Sequence, residues 1–73
     1  MLQLNLNGLN CPLPVLKLKK FLMQVEYPEL VQITTTDHAS ITDFKEFCLK
    51  TGNTLISQNI DNGIITTIIQ KRK

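Results

Sequence analysis

A thiol, Cys11, stands in the run Gly8-Leu9-Asn10-Cys11-Pro12-Leu13-Pro14, between a segment that alternates like a strand and one with helical periodicity. A helix N-terminus carries unpaired N–H groups and a partial positive charge, which favour thiolate over thiol and make sulfur a better nucleophile. With Cys11 as N-cap, Pro12 takes the first helical position and Pro14 the third, and neither ring offers an N–H. The amides of Leu13 and Val15 remain, so the sulfur is expected to accept from Leu13 and its pKa to be modestly lowered. Pro14 occupies the place of the second cysteine in a Cys-x-x-Cys pair, which excludes a local dithiol cycle. A lone activated thiolate suits holding a transferable group, a persulfide sulfur or a mixed disulfide, and passing it to another protein. The competing reading makes Cys11 a small residue at a tight turn.

Other reactive side chains are few. Asp37 and His38 follow a second strand-like segment, and a parallel strand–helix–strand unit brings that segment's end to the same sheet edge as Cys11. His38 is therefore a candidate for proton transfer, although a solvated loop histidine is the commoner outcome. Asp37 is read as helping to cap the second helix or meeting a basic partner, not as a metal ligand. Cys48 shares an apolar stripe with Phe44 and Phe47 and is assigned to the core. No recognised zinc spacing joins Cys11, His38 and Cys48, and no metal or cofactor is implied.

The elements that position these groups can be read from periodicity. Leu2, Leu4 and Leu6 alternate with polar residues, as in a strand with one buried face, and Gly8 ends it. From Pro12 to about Val25, residues Val15, Leu18, Phe21, Leu22 and Val25 share one helix face, with Lys17, Lys20 and Gln24 opposite; Tyr27-Pro28 closes the segment. Leu30 to Thr36 is a β-branched strand with Val31, Ile33 and Thr35 on one face. Ser40 and Asp43 resemble a capping box before a second helix, which Gly52 ends as a left-handed cap. Thr54 to Ile60 and Ile64 to Gln70 are strands joined through Asn62-Gly63, a strong hairpin signal. The order βαβαββ predicts a two-layer α+β sandwich, a four-stranded mixed sheet with both helices on one face.

Length and composition narrow the function. Seventy-three residues, 42% apolar and 19% charged, make one small domain spanning residues 1–73 with a thin core. The two cysteines lie 37 positions apart and are no disulfide framework. No leader pattern opens the chain and no apolar run approaches the ~20 residues of a membrane span, so a reducing, cytoplasmic setting and no membrane contact are expected. A net charge of +2 does not by itself imply nucleic acid, although Lys17, Lys19 and Lys20 cluster and Lys71-Arg72-Lys73 form a basic tail. Three Phe, one Tyr and no Trp supply no stacking platform, and no stable direct nucleic-acid binding is expected.

The Gly8–Val15 run, the lysines after it, Asp37, Asp43 with Phe47-Cys48, and Gly52-Asn53 before Leu55 together resemble the TusA (SirA-like) sulfur-carrier family over nearly the whole chain. Asp37-His38 stands where the family often has Asp-Pro, and Asn53 where histidine is common. The resemblance implies a βαβαββ fold and a cysteine, at Cys11, that accepts sulfane sulfur from a cysteine desulfurase or rhodanese and relays it to an acceptor protein. In the best-known branch the relay feeds tRNA thiolation, and other branches serve other sulfur pathways.

The first helix adds a surface. Leu16 and Met23 lie outside its core stripe and Leu13 sits beside the thiol, so Leu13, Leu16 and Met23, edged by Lys19 and Lys20, are expected to form a docking surface for donor or acceptor proteins. A small nucleic-acid-binding or regulatory module without sulfur chemistry is the alternative function.

Overall fold

The strands and helices of the computed structural model, which describes residues 1–72, follow the expected order. They are β1 (Leu2–Asn5), α1 (Leu13–Leu22), β2 (Glu29–Thr35), α2 (Ala39–Thr51), β3 (Thr54–Asp61) and β4 (Ile64–Lys71). The sheet order is β1-β2-β4-β3. β1 runs parallel to β2, and β4 pairs antiparallel with both β2 and β3, giving the mixed sheet. The last hairpin turns through Asn62 and Gly63 at φ of 52 and 77°, the doubly left-handed geometry that Asn-Gly tolerates best.

One face of the sheet builds the core. Val31, Ile33 and Thr35 of β2 are buried opposite Ile69, Thr67 and Ile65 of β4, while the alternate positions Gln32, Thr34, Thr66 and Gln70 are only half-buried. Leu18 and Leu22 of α1 and Phe44 and Cys48 of α2 join Leu6, Val31, Ile33 and Ile69 in a single cluster. Both helices therefore lie on the same side, and Cys48 takes the core position its stripe implied. Gly52, at φ 80°, ends α2 and donates its N–H to the Cys48 carbonyl at 2.9 Å.

Three local readings are corrected. Helix α1 stops at Leu22 and not near Val25: the amides of Gln24 and Val25 bond carbonyls three residues back, tightening the chain into turns. The Leu22 and Val25 carbonyls accept from Lys71 Nζ, so Lys71 closes the end of α1 and is no longer a free charge of the basic tail. Lys73, also read into that tail, lies outside the described residues.

Ser40 is not the cap of α2. His38 holds that position without a side-chain cap bond, and Ser40 lies buried inside the first turn, its hydroxyl 2.7 Å from that of Thr35. Thr35 points into the core, where an unpaired hydroxyl is costly, and Ser40 answers it from the neighbouring helix. Asp43 is thereby released from the reciprocal bond of a capping box.

Candidate site at the Cys11 loop

The parallel pairing of β1 with β2 carries both strand ends to one edge, and hydrogen bonds fasten the thiol loop there. Leu6 N–H donates to the Thr34 carbonyl at 2.8 Å, Gly8 N–H to Thr36 Oγ1 at 2.9 Å, and Cys11 N–H to Asp37 Oδ2 at 2.6 Å. Gly8 makes the turn at φ 84°, a conformation that other side chains rarely adopt. The second oxygen of Asp37 accepts the Ala39 N–H at 3.1 Å, so one carboxylate ties the thiol loop to the start of α2. Of the two parts expected of Asp37, capping α2 or meeting a basic partner, this bond to the first residue of α2 bears on the former.

The two amide donors, Cys11 first and Ala39 second, hold the Asp37 carboxyl below its ordinary value of 3.8. A depressed folded pKa stabilises the fastened loop above the ordinary value, and that contribution fades as pH falls through the lowered one. The NMR shift of the Cys11 amide proton is therefore expected to titrate with a midpoint below 3.8, in step with that of Ala39. A midpoint at or above 3.8 in either amide contradicts this account.

The thiol differs from its sequence reading. Pro12, not Cys11, is the N-cap of α1, so Pro14 falls at the second helical position. The Leu13 N–H, expected to reach the sulfur, donates instead to the Asn10 carbonyl at 2.9 Å. Cys11 Sγ is itself a donor, to Asp43 Oδ2 at 3.0 Å. That bond, then desolvation, then the negative charges of Asp43 and Asp37 raise the thiol pKa above its ordinary 9.0, where a lowered value was expected. The two prolines bring no N–H and the Leu13 N–H is taken by the Asn10 carbonyl, while Asp43, free of a capping box, takes the S–H.

Cys11 is exposed and lines a groove of about 440 Å³ between α1 and α2, with Val15, Phe47, Lys19, Glu46 and Lys50 among the other lining residues. Leu16 and Lys19 border both this groove and a second hollow along α1, which Leu13, Lys17, Lys20 and Met23 complete. Leu13, Leu16 and Met23 are 44, 54 and 76% exposed. The structure thus gathers the five surface residues singled out from sequence along one hollow of α1, and two of them, Leu16 and Lys19, also line the groove of the thiol. His38 is exposed at the α2 cap, and no side-chain hydrogen bond from it is found among the described residues. The sequence reading missed Asp43 as the thiol's partner. The signal available was its place one turn into α2, whose start shares the sheet edge with Cys11.

Two helices on one face of a four-stranded mixed sheet are also the fold of a solved SirA-like protein. The crystal structure of that protein, from Desulfitobacterium hafniense, superposes on this chain with a TM-score of 0.85 over 100% of both chains, at 23% identity. Residues 2–71 match the family model described as Sulfurtransferase TusA, and the chain belongs to that family. The sulfur carrier protein TusA of Allochromatium vinosum is 36% identical over 69 residues, 94% of this chain and 91% of that one. TusA of Pseudomonas putida strain F1 is 32% identical over 69 residues, covering 94% and 86%.

Proposed function

We propose that the protein is a sulfur carrier that takes sulfane sulfur onto Cys11 and passes it to an acceptor protein. The observation that carries this reading is the exposed Cys11 thiol, its loop fastened by the Cys11 amide, in the lining of the inter-helix groove. Loading needs no oxidant. The Cys11 sulfur, as thiolate, attacks the outer sulfur of a donor persulfide, the donor's S–S bond breaks, and the donor sulfur leaves and regains a proton. Cys11 then carries –S–SH, and attack by the acceptor on the outer sulfur returns the free thiol. A cysteine desulfurase or rhodanese is the donor, and the acceptor belongs to tRNA thiolation or another sulfur-transfer pathway. Two free cysteines suit a reducing, cytoplasmic setting.

The test is intact mass after incubation with a cysteine desulfurase and cysteine, followed by peptide mapping. One added sulfur located on residue 11 supports the carrier; no adduct overturns it.

Docking of the donor follows from the exposed apolar residues beside the thiol. Leu13, Leu16 and Met23 supply apolar contact, and Lys17, Lys19 and Lys20 around them complement an acidic rim on the donor. Leu16→Asp and Lys20→Glu, each folded by circular dichroism, are expected to slow loading by about tenfold, the effect of losing one moderate contact. Loading at the wild-type rate in both removes this surface from the account.

A further inference from the structure

Among the groups of the site, Asp43 has no place in the loading chemistry just described. Its carboxylate lies 3.0 Å from the sulfur that must become a nucleophile. An arrangement built only to activate the thiol would set a donor or a cation there, since either favours thiolate. A carboxylate does the reverse, accepting the S–H and repelling the anion. The charged groups facing Cys11 are Asp37 from the loop after β2, Asp43, Glu46 and Lys50 from α2, and Lys19 from α1. Among the described residues, only Asp43 is hydrogen-bonded to the sulfur.

We propose that Asp43 is a positioning residue that keeps the resting Cys11 sulfur protonated and turned into the groove between the helices, holding it in reserve against small electrophiles. The raised thiol pKa agrees in direction. As to why such a guard is useful, the inference rests on the carrier reading: a thiol that is exposed between transfers is open to adventitious alkylation and oxidation. Its test does not require the carrier chemistry.

The experiment is the rate of Cys11 alkylation by iodoacetamide against pH in the full chain, for wild type, Asp43→Asn, Asp43→Ala, Asp43→Glu and Glu46→Gln, with Cys48→Ala in every background. Asp43→Asn and Asp43→Ala are expected to lower the pH midpoint. At pH 7.5 the rate rises about threefold, less than the thiolate fraction does, because nucleophilicity falls as pKa falls. Asp43→Glu retains the guard, and Glu46→Gln, which removes a charge but no bond to sulfur, leaves the profile in place. An unchanged midpoint in both Asp43→Asn and Asp43→Ala overturns the proposal. So does an equal shift in Glu46→Gln, which would assign the effect to net charge. A shifted midpoint without desulfurase loading sinks the carrier reading alone, whereas an unshifted one with normal loading sinks the guard alone.

Discussion

Cys11→Ala is expected to lose all sulfur loading from a persulfide donor while keeping its far-UV circular dichroism and its urea midpoint. The side chain removed is exposed, and its hydrogen bond goes to a surface carboxylate, so no core contact is lost with it. The amide of residue 11 still reaches Asp37, which keeps the loop in place. Cys48 cannot take over. It is buried in the cluster of Leu18, Leu22 and Phe44, and burial pushes its thiol up to about 11. At neutral pH that leaves a thiolate fraction on the order of one in ten thousand, on a sulfur no donor can reach. Cys48→Ala should accordingly load like wild type, at some cost in stability from the cavity it leaves. Intact mass spectrometry of the two variants decides the matter: an adduct on Cys11→Ala would move the chemistry to Cys48.

Phe44→Ala is the second large effect and falls on the fold. Phe44 is fully buried, on the helix that carries Asp43, and belongs to the cluster formed by both helices and the sheet. Truncating a buried phenylalanine costs about 3–5 kcal/mol. For 73 residues, natural stabilities of 0.05–0.15 kcal/mol per residue give only about 4–11 kcal/mol in all. The variant should therefore unfold at a much lower urea concentration, with a sizeable unfolded population at 37 °C, whereas Leu49→Ala on the exposed face of the same helix stays within about 0.5 kcal/mol of wild type. Equal urea midpoints for the two variants would deny Phe44 its central place.

The residues that repeat along the chain announced their elements, since a period of two or of 3.6 needs no knowledge of a partner. Val31, Ile33 and Thr35 are of this kind, and Asn62-Gly63 and Gly52 were as legible because a left-handed backbone marks a turn or helix end locally. What stayed hidden were bonds whose partner is chosen by the tertiary fold. Ser40 with Asp43 has the spacing of a capping box, but Thr35 carries its hydroxyl on the inward face of β2, and Ser40 turns to it. Asp43 then finds Cys11, and the polarity of the site reverses from donor-rich to acceptor-rich. Lys71 likewise looked like tail charge until the end of β4 was found beside the last carbonyls of α1. The thiol, the topology and the apolar surface beside Cys11 were legible; the electrostatic character of the thiol was not.

The sheet order has a temporal side. Cys11 precedes β4 in the chain, yet β3 joins β1 and β2 only through β4, so the sheet stays in two pieces until residues 64–71 have been made. Those same residues bring Lys71 to the end of α1. Contacts so distant in sequence are paid for in loop-closure entropy before they return any stability, which slows folding for a domain of this size. A nascent chain therefore carries the thiol loop and its partners just after β2 and on α2 before β4 has joined the two halves of the sheet beneath them.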